Sequence, residues 1–600
     1  MKSNSPIRSL ELALGLPIQA YGLLLILGGL TWAGVVHGGH VTFDTEWLWR
    51  ENTILSSGEL RWLGTIWSDF SPDVRQMLGA EYLPVRDTNT LIDFKLFGDN
   101  WTLHHGANLF WYLAACTLFL SICRHLLGAG LPAWLAATWF SLHPVHTENV
   151  AWLASRKDLL GLTLALAAWR AWLHKSQDNK LSWLSILFFI LAVWSKNTYI
   201  VLPAVMMLGD WLVLQKRPWQ HKTQWLLWAV VTAPLILLSV QLGKIMRLFG
   251  VPKYTGVVDG LVMQAQLWSR DLRHLGWPAE LAMVYPVPPH ALSLPLLLSV
   301  AAVCGLVLVA WWVRRKSPVL SLGICIFFLA SLPTTVFMSL QNLSADRYLL
   351  LPSAGVALAL GAALQLVWTE KAKPWLVGFS LVGLATLSVL SAQQASHWRS
   401  DLALWSASAE NQPSVLRNVI QHAHALGSAG QPQAALEVLE VAESQFSQDP
   451  QFFQGRATVH FKTGDEQKAE LDYRQALSLD PDLRISGNDL AIILSRTGRL
   501  EEAILVAERM TSVHPRYAKG FNTLGALLLN ARLLERAETA LLQAELLSYE
   551  SASAACNLGG VYWLQMQVDP SLRPTAVKWW TICKARKPGV VTPPGLVLPD

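Results

Sequence analysis

Long apolar stretches separated by short polar segments dominate the first two thirds of the chain. Eleven of them are long enough to cross, or nearly cross, the roughly 30 Å hydrocarbon core of a bilayer. They lie near 16–37, 106–127, 130–143, 157–174, 181–195, 197–214, 224–242, 291–313, 317–339, 347–368 and 374–393. This pattern predicts a first domain, residues 1–395, that is a polytopic bundle of about eleven membrane helices.

Basic residues cluster in every second connection of this domain. The clusters are Lys2 with Arg8, Arg124, Arg170 with Lys175 and Lys180, Lys216 with Arg217 and Lys222, Arg314 to Lys316, and Lys371 with Lys373. Because positively charged loops stay in the cytoplasm, the clusters predict a cytoplasmic amino terminus. The polar connections 38–105, 143–157, 243–290 and 341–347 and the loop around 195–197 then face the other side. An odd number of spans places everything after residue 395 on that side as well.

One outer connection carries an amphipathic pattern. Between 259 and 276, apolar residues such as Leu261 and Trp268 recur at helical spacing beside charged residues such as Arg270 and Asp271. A helix that lies in the membrane interface fits this pattern, and so does a helix packed over the bundle. Either one would roof a cavity on the outer side.

From about residue 417 the chain repeats a pattern with a period near 34 residues. A unit has a glycine at a turn, alanines in its second helix and a proline at its end, as at Gly464, Ala469 and Pro481. This is the pattern of tetratricopeptide helix pairs, and about five units fit into 417–586. A linker, 396–416, precedes the array, and a Pro- and Gly-rich tail, 587–600, is expected to be disordered.

The predicted fold class is therefore all-α, a membrane helix bundle followed by an α-solenoid. Stacked helix pairs present a concave surface suited to extended peptides, so we expect the array 417–586 to bind a protein or peptide. A purely structural extension is the alternative.

Composition agrees with a membrane protein, because 52% of the 600 residues are hydrophobic and 15% are charged. These values exclude a disordered chain, a collagen and a disulfide scaffold. The net charge of +5 falls in the short basic clusters, where membrane topology accounts for it, so no nucleic-acid partner is expected. Cys556 and Cys583 are the two cysteines outside apolar runs, and the sequence leaves open whether they pair.

Candidate chemistry collects in the outer connections. Asp44 and Glu46 follow the first span, where flanking aromatic residues and the bilayer can raise the pKa of a carboxylate toward that of a general base. Two carboxylates of an ordinary solvated loop are the alternative.

The densest polar cluster is His143, His146 and Glu148, followed by Arg156. Ionisable groups at a membrane boundary are costly unless something is bound or paired there. Hydrogen bonding to a phosphate or sugar, coordination of a divalent metal, and internal pairing all remain open. The His-Glu-x-x-His spacing of zinc peptidases is absent, and we assign no metal ligand.

Asp346 and Arg347 precede the tenth span, so Arg347 lies near a helix amino terminus whose N–H groups favour an anion. A guanidinium there suits a lipid-linked phosphate. A cap formed by an ion pair between Asp346 and Arg347 is the alternative.

Five short runs, in this order, resemble the signature motifs of the transmembrane and tetratricopeptide-repeat O-mannosyltransferases, which are integral-membrane glycosyltransferases of the GT-C class. The runs are Phe43–Glu46, Tyr82–Pro84, His143–Glu148, Ser155–Leu160 and Ala345–Leu349. The resemblance implies a GT-C-like bundle, a sugar donor on a polyprenyl phosphate, and Asp44 near the reaction centre. Thr45 and Leu83 depart from the family's Asp-Asp and Tyr-Arg-Pro motifs, so Glu46 becomes a candidate for the second acidic role.

Motifs and resemblance together predict a membrane glycosyltransferase that moves a mannose-like sugar from a polyprenyl phosphate to a hydroxyl of a protein acceptor. Asp44 would act as the general base in an inverting displacement, with Glu46 as the second acid. The expected donor-binding residues, for the phosphate or the sugar, are Arg347, Arg156, His143, His146, Glu148 and Asp346. No cofactor is assigned, and a divalent metal stays open.

The same topology predicts a location in the bacterial inner membrane with the repeats in the periplasm, or in the endoplasmic reticulum with lumenal repeats for a eukaryotic chain. Two other functions remain. A non-catalytic membrane anchor could display the repeat array. A transporter would need polar groups near the bilayer midplane, whereas the polar groups here bunch on one side.

Overall fold

The computed structural model describes residues 16–39, 41, 43, 45, 48–49, 52–175, 181–217, 221–245, 254, 256–289, 293–338, 342–547, 552–594, 596 and 598. Within these ranges the regular elements are all helices, with no strand. The chain divides into two compact units, Met1–Asn418 and Val419–Asp600. The all-α fold class is thereby confirmed. Asp44 and Glu46 lie outside the described residues.

The first unit is a helix bundle with additional short helices in its connections. Its α-helices are α1 Pro17–Trp32, α2 Thr53–Ser56, α3 Leu63–Ser68, α4 Pro72–Met77, α5 Pro84–Phe97, α6 Trp101–Leu127, α7 Leu131–Ser141, α8 Thr147–Ala151, α9 Arg156–Lys175, α10 Trp183–Ser195, α11 Leu202–Leu212, α12 Lys222–Ile245, α13 Val257–Gly276, α14 Leu294–Val313, α15 Pro318–Ser331, α16 Leu350–Leu366, α17 Lys373–His397 and α18 Asp401–Asn411.

Every predicted membrane stretch contains one of these helices. Six helical segments of the described chain are long and apolar enough to cross a bilayer, and two shorter apolar helices accompany them. The six segments correspond to α1, α6, α12, α14, α16 and α17, and the shorter ones to α10 and α15. The described chain thus contains six candidate membrane helices, and the number of eleven spans stays a prediction.

Glycines allow a close contact between α15 and α16. A Cβ atom added to Gly323 would lie 2.6 Å from the carbonyl oxygen of Gly355, and one added to Gly355 would lie 2.6 Å from that of Gly323. Without a hydrophobic effect between helices in lipid, such close backbone packing is a main source of association. This packing fixes the position of α16. Asp346 and Arg347 lie just before the amino-terminal end of this helix.

The connections that are predicted to face the outer side are folded. Helices α2 to α5 enclose a small apolar core that includes Ile54, Ile66 and Leu91. Helix α13, the predicted amphipathic helix, packs Leu275 near its end into a cluster of the bundle, while Val258 and Leu261 at its beginning are exposed. The buried end agrees with a helix packed over the bundle, and a place in the membrane interface stays a prediction.

The second unit is built from helix pairs, as the repeat pattern predicted. Helix α19 (Leu416–Ser428) crosses the boundary between the units. The following helices are α20 Pro432–Phe446, α21 Pro450–Thr463, α22 Glu466–Leu479, α23 Arg484–Arg496, α24 Leu500–Val513, α25 Ala518–Asn530, α26 Leu534–Leu547, α27 Ala552–Gln565 and α28 Arg573–Arg586. These make five pairs with α19, in agreement with about five repeats.

Small residues let the paired helices approach each other in this unit. Ala469, Ala491 and Ala503 are fully buried in one continuous core that includes Tyr473 and Leu541. The last pair is also linked covalently, because Cys556 of α27 and Cys583 of α28 form a disulfide. The sequence had left this pairing open.

Two predicted boundary segments have structure of their own. The predicted linker 396–416 contains α18, whose Leu404 and Trp405 are buried in the first unit. After α28 the tail 587–600 is not helical where it is described, and Leu596 is buried in a cluster with Ala576 and Trp580. The disorder expected for this tail stays a prediction.

Candidate functional site

Trp152 connects the outer polar segments of the first unit. It follows α8 in the short connection 143–157 and is 5% exposed. Its indole Nε1–H donates to the carbonyl oxygen of Phe43 at 2.9 Å, and the two rings lie 5.6 Å apart. The guanidinium carbon of Arg347 lies 5.4 Å from the centre of the same ring, within range of a cation–π interaction. The residue that precedes Asp44 is thereby held near Arg347.

Glu148 is the partner of Arg347, across 199 residues of sequence. One carboxylate oxygen accepts from the backbone N–H of Arg347 at 2.9 Å, and the other accepts from its guanidinium. The side chain of Glu148 is 4% exposed and that of Arg347 is 11% exposed. An ion pair with this little solvent and two hydrogen bonds fixes the guanidinium at the outer end of the bundle.

Asp346 does not cap the helix as an ion pair with Arg347. Its carboxylate accepts a hydrogen bond from the hydroxyl of Tyr285 at 2.7 Å and lies 3.8 Å from the ring of His274. The beginning of its helical turn has no side-chain cap. Asp346 and Glu148 both line a narrow pocket next to Trp398 at the base of α18. Two carboxylates therefore face one pocket while a single guanidinium pairs with only one of them.

The two histidines of the densest cluster point into the protein. The Nδ1 atom of His143 accepts from the backbone N–H of Val145, and its Nε2 atom lies 3.0 Å from the carbonyl oxygen of Leu275. The ring nitrogens of His146 lie 2.8 Å from the Tyr112 hydroxyl and 2.8 Å from the Ser353 hydroxyl.

Both rings are fully buried. They use their nitrogens to join α6, α13 and α16, which gives them a positioning role. Among the described residues, no group of three or more histidine, cysteine or acidic side chains is arranged to hold a metal ion.

Arg156, at the start of α9, lies in a different environment from Arg347. It donates to Asn89 at 3.0 Å and to the carbonyl oxygen of His104 at 2.8 Å, and it also contacts Asp93 and Asn108. Its side chain is 1% exposed. All three guanidinium nitrogens are therefore occupied within the protein, and they tie α5 and α6 to α9.

A second group of charges surrounds Glu81 in the outer connection. Its carboxylate lies 2.6 Å from Lys157 and 3.5 Å from Arg86. Burial alone would raise the pKa of Glu81, but the charges of Lys157, Lys196 and Arg86 outweigh burial and lower this pKa to about 2. Glu81 is therefore ionised at neutral pH and anchors the outer connection to α9.

Arg86 also lies 2.7 Å from Asp87, and burial raises the pKa of this carboxyl group. Leu83, which departs from the family motif, is fully buried below these charges. Thr45, the other departure, is 2% exposed. Both departures thus place an uncharged side chain at a buried position.

The structure brings together only part of the predicted site. Glu148, Arg347 and Asp346 converge, with Phe43 beside them, whereas Arg156, His143 and His146 hold helices in place. Sequence reasoning missed Trp152 and Tyr285, because an aromatic residue in an outer connection gives no signal of its own until its partners are known.

Comparison with known proteins extends these observations. A family model described as tetratricopeptide repeat matches residues 392–526. Protein O-mannosyl-transferase TMTC3 of Mus musculus is 23% identical over 523 residues, which cover 76% of this chain and 56% of the relative. The Homo sapiens TMTC3 is 22% identical over the same shares. The chain thus spans about half the length of the relatives it matches most extensively.

A shorter match agrees with these. Protein O-mannosyl-transferase tmtc2 of Xenopus laevis is 29% identical over 145 residues, 24% of this chain and 16% of that protein. Among solved structures, a tetratricopeptide protein of Thermus thermophilus, TTC0263, is 22% identical with a TM-score of 0.25. MamA of Desulfovibrio magneticus RS-1 is also 22% identical, with a TM-score of 0.25. Each covers 29% of this chain and 93% of its own.

Proposed function

We propose a function from the premise that this chain is a distant homologue of the transmembrane and tetratricopeptide-repeat O-mannosyltransferases. The resemblance predicted from the five motifs is confirmed by relatives matched over three quarters of the chain. The chain is proposed to be a membrane glycosyltransferase of the GT-C class. It moves a mannose-like sugar from a polyprenyl phosphate to a hydroxyl group of a protein acceptor.

The observation that carries this proposal is the contact of Trp152 with both Phe43 and Arg347. A transfer from a lipid phosphate needs a base for the acceptor hydroxyl and a cation for the departing phosphate. Phe43 immediately precedes Asp44, so the contact supports a carboxylate and a guanidinium near one reaction centre. The sequence motif supplies the carboxylate, and the geometry supplies the fixed guanidinium.

In the proposed reaction, Asp44 accepts the proton of the acceptor hydroxyl. The oxygen of that hydroxyl forms the new bond to the anomeric carbon. The bond from that carbon to the phosphate oxygen breaks, and Arg347 stabilises the charge that develops on the phosphate. A direct displacement of this kind inverts the anomeric carbon. Glu46 is the candidate for the second acidic role, with Glu148 as its alternative.

The remaining predicted site residues take supporting roles in this proposal. Asp346 and Glu148 line the narrow pocket next to Trp398, and Glu148 also holds Arg347 in place. Arg156, His143 and His146 position the helices that carry the site. The repeat array holds the protein acceptor, and membrane lipid surrounds the bundle.

The proposed location of the repeat array is the non-cytoplasmic side, which is the periplasm for a bacterial inner-membrane protein. The disulfide between Cys556 and Cys583 supports this location, because disulfides persist in oxidising compartments. A cysteine introduced near Gln431 should react with an impermeant reagent in spheroplasts. Labelling only after lysis would reverse the topology.

The decisive experiment is the transfer of a labelled sugar by the purified protein in liposomes. Asp44→Asn should remove measurable transfer while donor retention stays intact, because loss of a general base costs on the order of a hundred- to ten-thousandfold in rate. Arg347→Ala should weaken donor retention instead. A large defect in Glu46→Gln would give that residue the second acidic role.

Two outcomes contradict the proposal. Wild-type transfer by Asp44→Asn would end the assignment of the base. A wild type that transfers nothing from any polyprenyl-phosphate sugar would favour a membrane anchor that displays the repeat array.

The docking role of the array has its own test. Deletion of residues 414–600 should impair transfer to a protein acceptor more than transfer to a small surrogate, because the repeats carry no chemistry. An equal loss with both acceptors, by a truncated protein that still folds, would contradict docking.

A further inference from the structure

A second polar pocket, lined by Arg347 and not by Asp346, opens at the outer end of the bundle. It lies between the connection of α10 to α11 and the beginning of α16. Its polar lining consists of Asp158, Lys196, Thr198, Tyr199, Thr334, Arg347 and Tyr348. Two cations thus share one pocket whose wall contains a single carboxylate.

Lys196 is held in this wall by its neighbours. It lies between the end of α10 and the helical turn Asn197–Val201, and its side chain is 13% exposed. The hydroxyl of Tyr199 donates to the carbonyl oxygen of Asp158 at 2.7 Å. The ring of Tyr199 also packs so closely on Gly161 that an added Cβ atom would lie 2.4 Å from it. These contacts fix the turn that carries Lys196 against α9.

The ammonium group of Lys196 has one ion-pair partner, Asp158, and its charge also acts on the carboxylate of Glu81. Its Nζ atom lies 3.4 Å from an Asp158 oxygen, and Asp158 also accepts from the hydroxyl of Ser155 at 3.2 Å. An ammonium has three donors, so one contact of this length leaves capacity for an anion in the pocket. Arg347 keeps its bonds to Glu148 in the same arrangement, and its guanidinium has five donors.

The surroundings of the pocket indicate a phosphate carried on a lipid chain. Ala330 of the pocket directly follows Phe328 and Leu329, which line an apolar groove of α15. The groove has walls from α11, α14 and α15, and Trp268 of α13 contributes to its outer end. A chain lying in this groove would bring a phosphate at its end to Lys196.

We propose that Lys196 binds the phosphate of a polyprenyl-phosphate ligand together with Arg347, with the lipid chain in the adjacent apolar groove. This inference rests on the proposed function, because it names a further ligand of the same donor. Lys196 supplies a point charge and Arg347 a planar fork, so the two cations can contact different oxygens of one phosphate. Lys196 would also share the charge that develops when the sugar leaves.

The experiment measures binding of polyprenyl phosphate to the full-length protein in detergent. Lys196→Met removes the charge and keeps the aliphatic stem, and binding should weaken about tenfold or more, the usual effect of losing a hydrogen bond to a charged group. Lys196→Arg should restore binding to within a few-fold. Unchanged binding by Lys196→Met would overturn the inference.

Two matched controls separate phosphate binding from a structural ion pair. Asp158→Asn removes the carboxylate of the Lys196–Asp158 ion pair but keeps the ammonium group. This variant should bind polyprenyl phosphate as tightly as wild type or more tightly. An equal loss in Asp158→Asn and Lys196→Met would overturn the inference. Lys316→Met removes an exposed cation after α14 that is not part of the pocket lining, and it should bind as wild type does.

If Lys196→Met lowers the melting temperature, Lys196→Gln gives the same comparison with a polar side chain.

Inorganic phosphate, used as a competitor, distinguishes the two sources of the anion. Competition only at a large excess supports a lipid phosphate, and competition as strong as that of polyprenyl phosphate overturns the role of the groove. A wild type that binds polyprenyl phosphate but transfers no sugar would contradict the proposed function alone. A wild type that binds none would contradict both.

Discussion

Trp152 donates its indole N–H to the carbonyl oxygen of Phe43 at 2.9 Å, and this bond joins the first outer loop to the connection between α8 and α9. Phe43 also packs against Trp405, 5.8 Å between ring centres. The backbone immediately before the proposed base is therefore positioned by one directed hydrogen bond and two aromatic contacts.

Replacing Trp152 by phenylalanine should slow sugar transfer about ten- to a hundredfold without unfolding the protein. The change keeps an aromatic ring but removes the donor, and a displacement of about 1 Å at a reacting group is enough for a loss of that order. Initial rates at saturating donor would measure it. Trp375→Phe is the matched control, because Trp375 is 83% exposed on α17 and should have no effect. Transfer at the wild-type rate by Trp152→Phe would contradict the positioning role.

Removing only the Glu148 charge from its ion pair with Arg347 should lower the unfolding free energy. Glu148→Gln leaves the guanidinium without its counter-charge at a nearly buried site, and the expected loss of unfolding free energy is on the order of 3 kcal/mol. Thermal unfolding in detergent would measure it as a lower melting temperature.

Glu370→Gln supplies the matched control for that substitution. It removes an ion pair with Lys373 in which Glu370 is 93% exposed, so its effect should stay below about 1 kcal/mol. Equal shifts of the melting temperature in the two variants would contradict the buried character of the Glu148 pair.

The sequence predicted the helices of this protein better than the side-chain contacts between them. Apolar stretches of membrane length and a 34-residue repeat are local patterns, and each reappears as a helix or a helix pair. The same kind of local reasoning paired Arg347 with its neighbour Asp346 as an alternative. The structure instead joins Arg347 to Glu148, because the packing of α16 against the bundle decides which carboxylate comes within reach.

Arg156 shows the same limit, because contacts within the protein occupy a residue that was predicted to bind the donor. Its position in an outer motif resembles that of Arg347, and both were candidates for the donor phosphate. Asp93 and Asn108 lie far from Arg156 in the sequence, yet they occupy its donors in the folded protein. Lys196 had no motif at all, and only the pocket it shares with Arg347 draws attention to it.

The charge of Glu81 should stabilise the outer connection in a pH-dependent way. The pKa of this carboxyl group is lowered from its ordinary 4.5 to about 2, so its contribution is fully present above about pH 4.5 and is lost as the pH falls through 2. The difference in melting temperature between wild type and Glu81→Gln should therefore be largest at neutral pH and shrink between pH 4.5 and pH 2. A difference that stays constant over this range would contradict the assigned pairing with Lys157.

The backbone conformation of one residue, Arg532, should make the repeat array less stable than it could be. Gly430, Gly464 and Gly498 occupy the turn of successive helix pairs with φ of 77°, 85° and 82°. At the equivalent position of the fourth pair, 34 residues further on, Arg532 has φ of 61°. A side chain in this left-handed region costs about 1–2 kcal/mol, whereas glycine adopts it freely.

Arg532→Gly should therefore stabilise the array by roughly 0.5–1 kcal/mol, once the greater freedom of glycine in the unfolded chain is subtracted. The transition of the repeats, followed by thermal unfolding of the full-length protein, should rise by about 1–4 °C. Arg532→Ala is the control that separates the side chain from the backbone, because alanine keeps a Cβ atom and should give no such gain. Gly498→Ala, the reverse change in the neighbouring pair, should lower the transition. Equal shifts in Arg532→Gly and Arg532→Ala would assign the effect to the loss of the arginine side chain and not to the left-handed turn.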